Sequence, residues 1–306
     1  MSDAVLAELV RSGVVESQHR GYLVALNADG STNLELGDSA HLFYPRSTVK
    51  SIQASAMVRH GLVLEPRLLA FAASSHSGSA AHFAAVREIL AIAKLDENAL
   101  QCMLDRPLGE KERREYGDAA PTRIAMNCSG KHAAMLLTCV TNSWPIENYL
   151  DPEHPLQVAC REELEKLSGE KITLTSTDGC GAPLFLISIA GLARAIRAIT
   201  ISTDPIHSSV LAASRQFPEM VAGVGRLTTE MMQAIPGLYM KDGAEAVNIA
   251  SMPDGRTLVF KVGDGSLRPF KTLLHAGLTR LGVENTFEEE KVLGGSKVIG
   301  SIRATF

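Results

Sequence analysis

Short apolar runs separated by turn residues lie near both ends of the chain. Residues 22–26 and 33–36 flank Asp29-Gly30, and residues 246–250 and 257–261 flank Pro253-Asp254-Gly255. Each pair predicts a β-hairpin, because Asp-Gly readily supplies the positive φ that a tight turn needs. Between the hairpins the period changes. Val49, Ile52 and Ala56 recur at helical spacing after Arg46-Ser47, and Gly61 marks a stop. Residues 79–94, 131–140 and 267–281 also read as helices, as does the amphipathic stretch 155–167 closed by Ser168-Gly169. A long apolar helix is expected from Pro183 onward. Residues 67–73 predict a buried strand ending at Ser74-Ser75-His76-Ser77-Gly78. A further strand at 172–175 runs into Thr177-Asp178-Gly179-Cys180-Gly181. Helices that interrupt and flank strands, with hairpins at both ends, favour an α/β (α+β) sandwich around a largely antiparallel sheet. No repeat, low-complexity tract or linker marks a boundary, so residues 1–306 are expected to form a single domain.

Composition narrows the function classes. Lys and Arg total 30 against 34 Asp and Glu, a net charge of -4, and aromatics are only 5%. No basic stripe with interleaved aromatics is present, so nucleic-acid binding is not expected. No apolar run approaches the roughly 18 residues that a membrane helix needs. Met1-Ser2-Asp3-Ala4 lacks the basic and apolar regions of a signal peptide. The cysteines Cys102, Cys128, Cys139, Cys160 and Cys180 are odd in number and widely spaced. That pattern suits a reducing compartment, and a cytoplasmic location is expected.

Ser47-Thr48-Val49-Lys50 places a hydroxyl and an amine three residues apart. On a helix these share a face, and a neutral lysine there can take the proton of an attacking serine. The spacing alone is cheap: Ser168-Gly169-Glu170-Lys171 repeats it at a helix end, where Gly169 points to a plain cap. Ser75-His76-Ser77 and Lys261-Val262-Gly263 follow in the order that penicillin-recognising enzymes use. A second lysine would depress the pKa of Lys50 or hold a substrate carboxylate. The plainer reading is that Ser75 and Ser77 cap the next helix and Lys261 is an edge-strand charge. Asn127-Cys128-Ser129-Gly130-Lys131-His132 and Ser176-Thr177-Asp178-Gly179-Cys180-Gly181 each put a cysteine in a glycine-containing loop at the expected mouth of a helix. Such a mouth favours a thiolate. Two thiolates and the neutral amine of Lys131 would make a sulfur-rich zinc site with a position left for water. Buried structural cysteines are the alternative, and Cys102, Cys139 and Cys160 read as such.

Taken together, these segments resemble the asparaginase II family, which includes the rhizobial inducible asparaginase. The resemblance is carried by Gly13-Val14-Val15-Glu16-Ser17 with His19-Arg20-Gly21, by Arg46-Ser47-Thr48-Val49-Lys50 and by Ser75-His76-Ser77-Gly78. Asn127-Cys128-Ser129-Gly130-Lys131-His132, His154-Pro155, Thr177-Asp178-Gly179-Cys180 and Pro218-Glu219-Met220-Val221-Ala222-Gly223 extend it. Lys241-Asp242-Gly243-Ala244-Glu245 and Lys261-Val262-Gly263-Asp264-Gly265 complete it, over residues 13–295. The resemblance implies hydrolysis of L-asparagine to aspartate and ammonia by a homodimer with a fold similar to serine β-lactamases and glutaminases. It implies that Ser47 and Lys50, with Ser75 and Lys261, form a double Ser-Lys arrangement. It also implies that Cys128, Lys131 and Cys180 bind zinc, and that Arg46, His132 and Asp178 lie beside substrate. Ser79 stands where such proteins often carry an acidic residue. The competing expectations are a glutaminase-like or β-lactamase-like Ser-Lys hydrolase, and a catalytically silent amino-acid or zinc-binding module.

Overall fold

A computed structural model describes residues 3–286 and 290–306. Met1 and Ser2 of the N-terminal reading, and residues 287–289 within the stretch that carries the resemblance, lie outside the described residues. The first strands are β1 (Ala4–Arg11), β2 (Val14–Leu26), β3 (Thr32–Leu36) and β4 (Leu42–Phe43). A 3-10 turn at Arg46–Val49 leads into α1 (Lys50–Arg59), followed by α2 (Pro66–Ala72), α3 (Ala80–Ile92), α4 (Glu110–Tyr116), α5 (Ser129–Thr141) and α6 (Pro155–Ser168). Next come β5 (Thr175–Thr177), β6 (Pro183–Phe185) and β7 (Ile187–Ser188). Helices α7 (Ile189–Ile201), α8 (Pro205–Gln216), α9 (Pro218–Val221) and α10 (Leu227–Ala234) follow. The chain ends with β8 (Tyr239–Gly243), β9 (Val247–Ser251), β10 (Thr257–Val262), α11 (Phe270–Arg280), β11 (Glu290–Gly294) and β12 (Lys297–Ala304). No helix among the described residues is long and apolar enough to cross a membrane.

These elements form two compact units. The first gathers residues 1–48, 187–201 and 240–306 around an eight-stranded sheet. Its order is β11-β12-β1-β2-β10-β9-β8, with β3 also on β2. Every pairing with a defined register is antiparallel. The long β2 organises it, pairing with β1 through its first half and with both β10 and β3 through its second. Gly21 sits where β2 meets β10: a Cβ there would lie 2.1 Å from the Lys261 carbonyl oxygen, so only glycine permits this approach. Both expected hairpins are present, as β2–β3 and β9–β10, and helices α7 and α11 cover the sheet. This is the mixed α/β class with an antiparallel sheet that the hydrophobic pattern predicts.

The second unit spans residues 49–186 and 202–239 and is mostly helical. Its core joins Met57, Leu68, Phe71, Val86, Met135 and Leu136, all buried. Here three sequence expectations fail. Residues 67–73 are not a strand, because Pro66 starts α2 after an extended Glu65. Leu-Leu-Ala-Phe-Ala contains strong helix formers, and a short run apolar on every side carries no period to separate buried helix from buried strand. Pro183 does not open a helix; it begins β6, pairing with Thr177, a place where proline's missing N–H is tolerated. The long helix α7 starts only at Ile189. The strand expected at 172–175 is displaced to Thr175–Thr177. The decoy Ser168-x-x-Lys171 is the cap it resembled, with Gly169 left-handed at φ 71°.

Candidate active site

Lys50, the first residue of α1, is 1% exposed. Its Nζ donates to the Ser74 carbonyl oxygen, to Ser75 Oγ at 2.9 Å and to Cys128 Sγ at 3.0 Å. Three donors meet three acceptors, so a buried amine is fully satisfied without a carboxylate. Ser75 is held by its backbone. The segment after α2 is clamped by Ser75 N–H to Val221 O (2.9 Å), His76 N–H to Asn127 O (3.0 Å) and Ser77 N–H to Ala222 O (2.7 Å). Ser79, at the position where an acidic residue often stands, caps α3 in a reciprocal box with His82. The helix-cap role thus falls to Ser79, and Ser75 faces the amine instead.

His76 is fully buried against Phe71 and His82. Ser129 Oγ donates to Ile124 O at 2.8 Å, so the contact of 2.8 Å between His76 Nε2 and Ser129 Oγ makes Nε2 the donor. Burial, then the charges of His82 and Lys50, push the His76 pKa well below the ordinary histidine value, so the ring is neutral.

A sulfur–amine cluster adjoins Lys50. Lys131 Nζ lies 3.3 Å from Cys180 Sγ, and the Cys128 thiol, 3.1 Å from Asn127 Oδ1, also bears on the Cys180 sulfur. Cys128 is the N-cap of α5, but Cys180 lies in the β5–β6 turn and not at a helix mouth. The electrostatics follow accordingly. A hydrogen bond from Cys128 and the charge of Lys131 hold the Cys180 pKa well below the usual thiol value, against burial. The bond to Cys180, and burial, push the Cys128 thiol up. Burial works against the Lys131 cation, but Cys180, Cys128 and Asp178 outweigh it and raise its pKa. The pair therefore carries one thiolate, on the cysteine that the helix-mouth argument fits less well. The other cysteines behave as core: burial lifts the Cys102, Cys139 and Cys160 thiols to about 12.

Among the described residues no three His, Cys, Asp or Glu side chains converge on a metal position. A zinc ion here would need Lys131 as its third protein donor, beside the sulfurs of Cys128 and Cys180. The donors fit that group in kind: two sulfurs and one nitrogen, in one buried cluster, with Cys128 and Lys131 able to lose their protons to metal.

His132 and Asp178 border the same cluster. The Tyr149 hydroxyl accepts from Gln101 N–H at 3.1 Å and lies 2.7 Å from His132 Nδ1; His132 is the one acceptor within reach of its proton among the described residues, so it donates to that nitrogen. The proton of His132 then sits on Nε2, which is buried and has no hydrogen-bond partner among the described residues. Burial, with Lys131 next, pushes the His132 pKa down to about 3. Asp178 shapes the turn that carries Cys180, its N–H bonded to Ala182 O at 2.9 Å and its carbonyl accepting from Gly181 at 2.8 Å. Sequence reasoning misses Tyr149: it lies far along the chain from His132, at a spacing that carries no signal. Ser74, whose carbonyl receives Lys50, acts through backbone, which no residue type announces.

The remaining expected residues, Arg46, Ser47 and Lys261, belong to the first unit. Arg46 has a left-handed backbone, φ 52°, at the start of the 3-10 turn that contains Ser47. Lys261 donates to the carbonyls of Glu245 and Val262, both at 2.7 Å. Burial lowers its pKa, and the Arg46 charge lowers it further against Glu245 and Asp264.

A comparison with protein families matches L-asparaginase II over residues 7–303. The chain thus falls in a class of hydrolases. It belongs to the L-asparaginase II family, and the match runs through both compact units. No curated protein matches it. Among solved structures, a β-lactamase from Mycobacterium bovis shares 16% identity, with 85% of this chain and 94% of that chain covered, at a TM-score of 0.39.

Proposed function

We propose that the protein hydrolyses the side-chain amide of L-asparagine, releasing aspartate and ammonia, with Lys50 and Ser75 at the centre of the reaction. The observation that carries this reading is the 2.9 Å contact between Lys50 Nζ and Ser75 Oγ in a buried setting, within a chain of the L-asparaginase II family. In its deprotonated state Lys50 takes the Ser75 proton as Oγ bonds to the amide carbon. The tetrahedral oxyanion then collapses, the carbon–nitrogen bond breaks, and the nitrogen leaves as ammonia with the proton from Lys50. A water repeats the sequence on the ester and frees aspartate. His132 offers a neutral Nε2–H with no partner among the described residues, suited to an oxygen of substrate. The family resemblance assigns Ser47 and Lys261 to the same chemistry and Arg46 and Asp178 to substrate contact. It also assigns a homodimer.

Zinc, where bound by Cys128, Lys131 and Cys180, would polarise a substrate oxygen and order the two cysteine-bearing loops. Two thiolates would neutralise the ion and leave it a poor source of hydroxide. Metal analysis of protein purified with reduced cysteines should find up to about one zinc per chain, and Cys180→Ser should lose most of it. Wild-type protein that stays metal-free after zinc supplementation would remove the metal from this reading.

Ammonia release from asparagine, glutamine and a chromogenic β-lactam (the last followed by colour) tests the substrate. Asparagine should exceed the others by at least about tenfold in kcat/KM. A faster glutamine or β-lactam reaction would favour the competing hydrolases, and silence on all three would favour a binding module. Ser47→Ala should lose at least about nine-tenths of kcat, whereas Ser168→Ala should be silent.

A further inference from the structure

The two nitrogens of the His132 ring, on α5, are treated very differently by the fold. Nε2 is buried and has no hydrogen-bond partner among the described residues. Buried N–H groups are nearly always bonded, so one left open calls for a reason. Nδ1 is held instead, with Tyr149 Oη at 2.7 Å and the two rings edge to face, centroids 5.7 Å apart at 75°. Gln101 N–H, which can only donate, bonds the phenol oxygen at 3.1 Å. The Gln101 side chain donates to the carbonyls of Ile146 (3.2 Å) and Glu147 (2.7 Å). Gln157, on α6, donates to the Tyr149 carbonyl at 2.7 Å. The hydroxyl therefore stands at a fixed place, on a residue with no exposed surface. Its donors run one way, from Gln101 to Tyr149, from Tyr149 to His132 Nδ1, and from His132 Nε2–H onward.

We infer that Tyr149 is a positioning residue for asparagine hydrolysis, fixing both the proton and the ring orientation of His132 so that Nε2–H donates to an oxygen of substrate. The inference rests on the reading of the site given above and deepens it. An imidazole carries its proton on either nitrogen, and the bond made at one decides the state of the other. The ring can also turn half a circle about Cβ–Cγ, which would put Cε1–H where Nε2–H stands. Each alternative forfeits the Tyr149 bond, the one hydrogen bond this ring makes among the described residues. Accepting at Nδ1 also strengthens the donor at Nε2, because hydrogen bonds in a chain polarise one another.

Tyr149→Phe should lower kcat/KM for asparagine about tenfold. Looser packing, or loss of the Gln101 bond, would give the same number, so the deciding comparison uses a second background. His132→Gln keeps an amide nitrogen near the Nε2 position but has nothing at Nδ1, so Tyr149 cannot act through it. There the same Tyr149→Phe change should cost less than about twofold. An equal loss in both backgrounds overturns the inference. Where His132→Gln is too slow to measure, nitrogen-15 spectra of histidine-labelled protein decide, the His132 signals being those that His132→Gln removes. Wild type should show a bare Nδ1 and a protonated Nε2, and Tyr149→Phe should spread the proton over both nitrogens or double the signals. A proton on Nδ1 in wild type, or one that stays wholly on Nε2 in Tyr149→Phe, overturns it. Wild-type protein that releases no ammonia from asparagine would instead sink the proposed function, and the spectra would still decide whether Tyr149 sets the His132 proton.

Discussion

Ser75→Ala will lower kcat by at least about a thousandfold while the protein melts within about 1 °C of wild type. The loop that carries Ser75 is clamped by backbone hydrogen bonds to Val221, Ala222 and Asn127, none of which uses the hydroxyl. The Lys50 amine keeps the Ser74 carbonyl and Cys128 when that hydroxyl is gone. Lys50→Met should be as inactive but less stable, because it strands the Ser74 carbonyl and a buried sulfur. The attacking serine can be identified directly. Acid quench with a β-ester analogue of aspartate should leave the acyl group on one tryptic peptide. Arg67 and Arg87 bound the peptide with Ser75, whereas Arg46 and Lys50 bound Ser47-Thr48-Val49-Lys50. Acylation is expected on residues 68–87. A label on residues 47–50 would make Ser47 the nucleophile and leave Ser75 a partner of Lys50.

What is legible in the sequence depends on how local its cause is. The hairpins β2–β3 and β9–β10 follow from turn residues a few positions from the strands they join. Helix α6 is readable for the same reason, with Pro155 at its start and Gly169 at its end. Segments decided by burial are not. Leu68, Leu69 and Phe71 are inside whether residues 66–72 are helix or strand, so their apolarity does not separate the two. Pro183 has the character of a helix start, yet pairing of Thr175–Thr177 with Pro183–Phe185 overrides it.

The site divides along the same line. Each of its motifs is visible in the chain, but the contacts among them are not. Lys50 and Ser75 are separated by the whole of α1 and α2, and only the order of motifs hints at a meeting. The proton inventory is least accessible. A helix N-terminus at Cys128 suggests a thiolate there, yet the bond between the two sulfurs and the nearness of Lys131 to Cys180 place it on Cys180. Such a result needs three-dimensional neighbours, because the Lys131 charge that favours a thiolate at Cys180 comes from another element of the chain.

Removing Glu163 should produce a large loss of stability for a substitution outside both the candidate active site and the apolar core. The Arg59 guanidinium, at the C-terminal end of α1, grips Glu163 on α6 with two bonds of 3.1 and 3.0 Å. Its Nη2 also reaches Asp204 at 2.7 Å, and His207 Nε2 lies 2.5 Å from Glu163 Oε1. The Glu163 and His207 side chains are 5% and 4% exposed, so that half of the network is desolvated, whereas Arg59 and Asp204 reach solvent at 32% and 26%. Glu163→Ala leaves the partly exposed Arg59 with Asp204 alone and removes the buried acceptor of His207 Nε2, and should cost about 2–3 kcal/mol. Burial acts to raise the Glu163 pKa, but the bonds from His207 and Arg59 outweigh it and bring it down from 4.5 to about 2. The folded pKa is thus depressed, so the network's stability is present above pH 4.5 and is lost as pH falls toward 2. Glu163→Gln should flatten that acid limb in urea melts taken at a series of pH values. Turnover per folded molecule should change little, because Lys50 lies at the opposite end of α1, about 14 Å away along the axis, and is fixed by its own three acceptors. A stability loss under about 1 kcal/mol would mean that the network behaves as an exposed ion pair. A collapse of kcat in still-folded Glu163→Ala would instead make it a positioning device for Lys50.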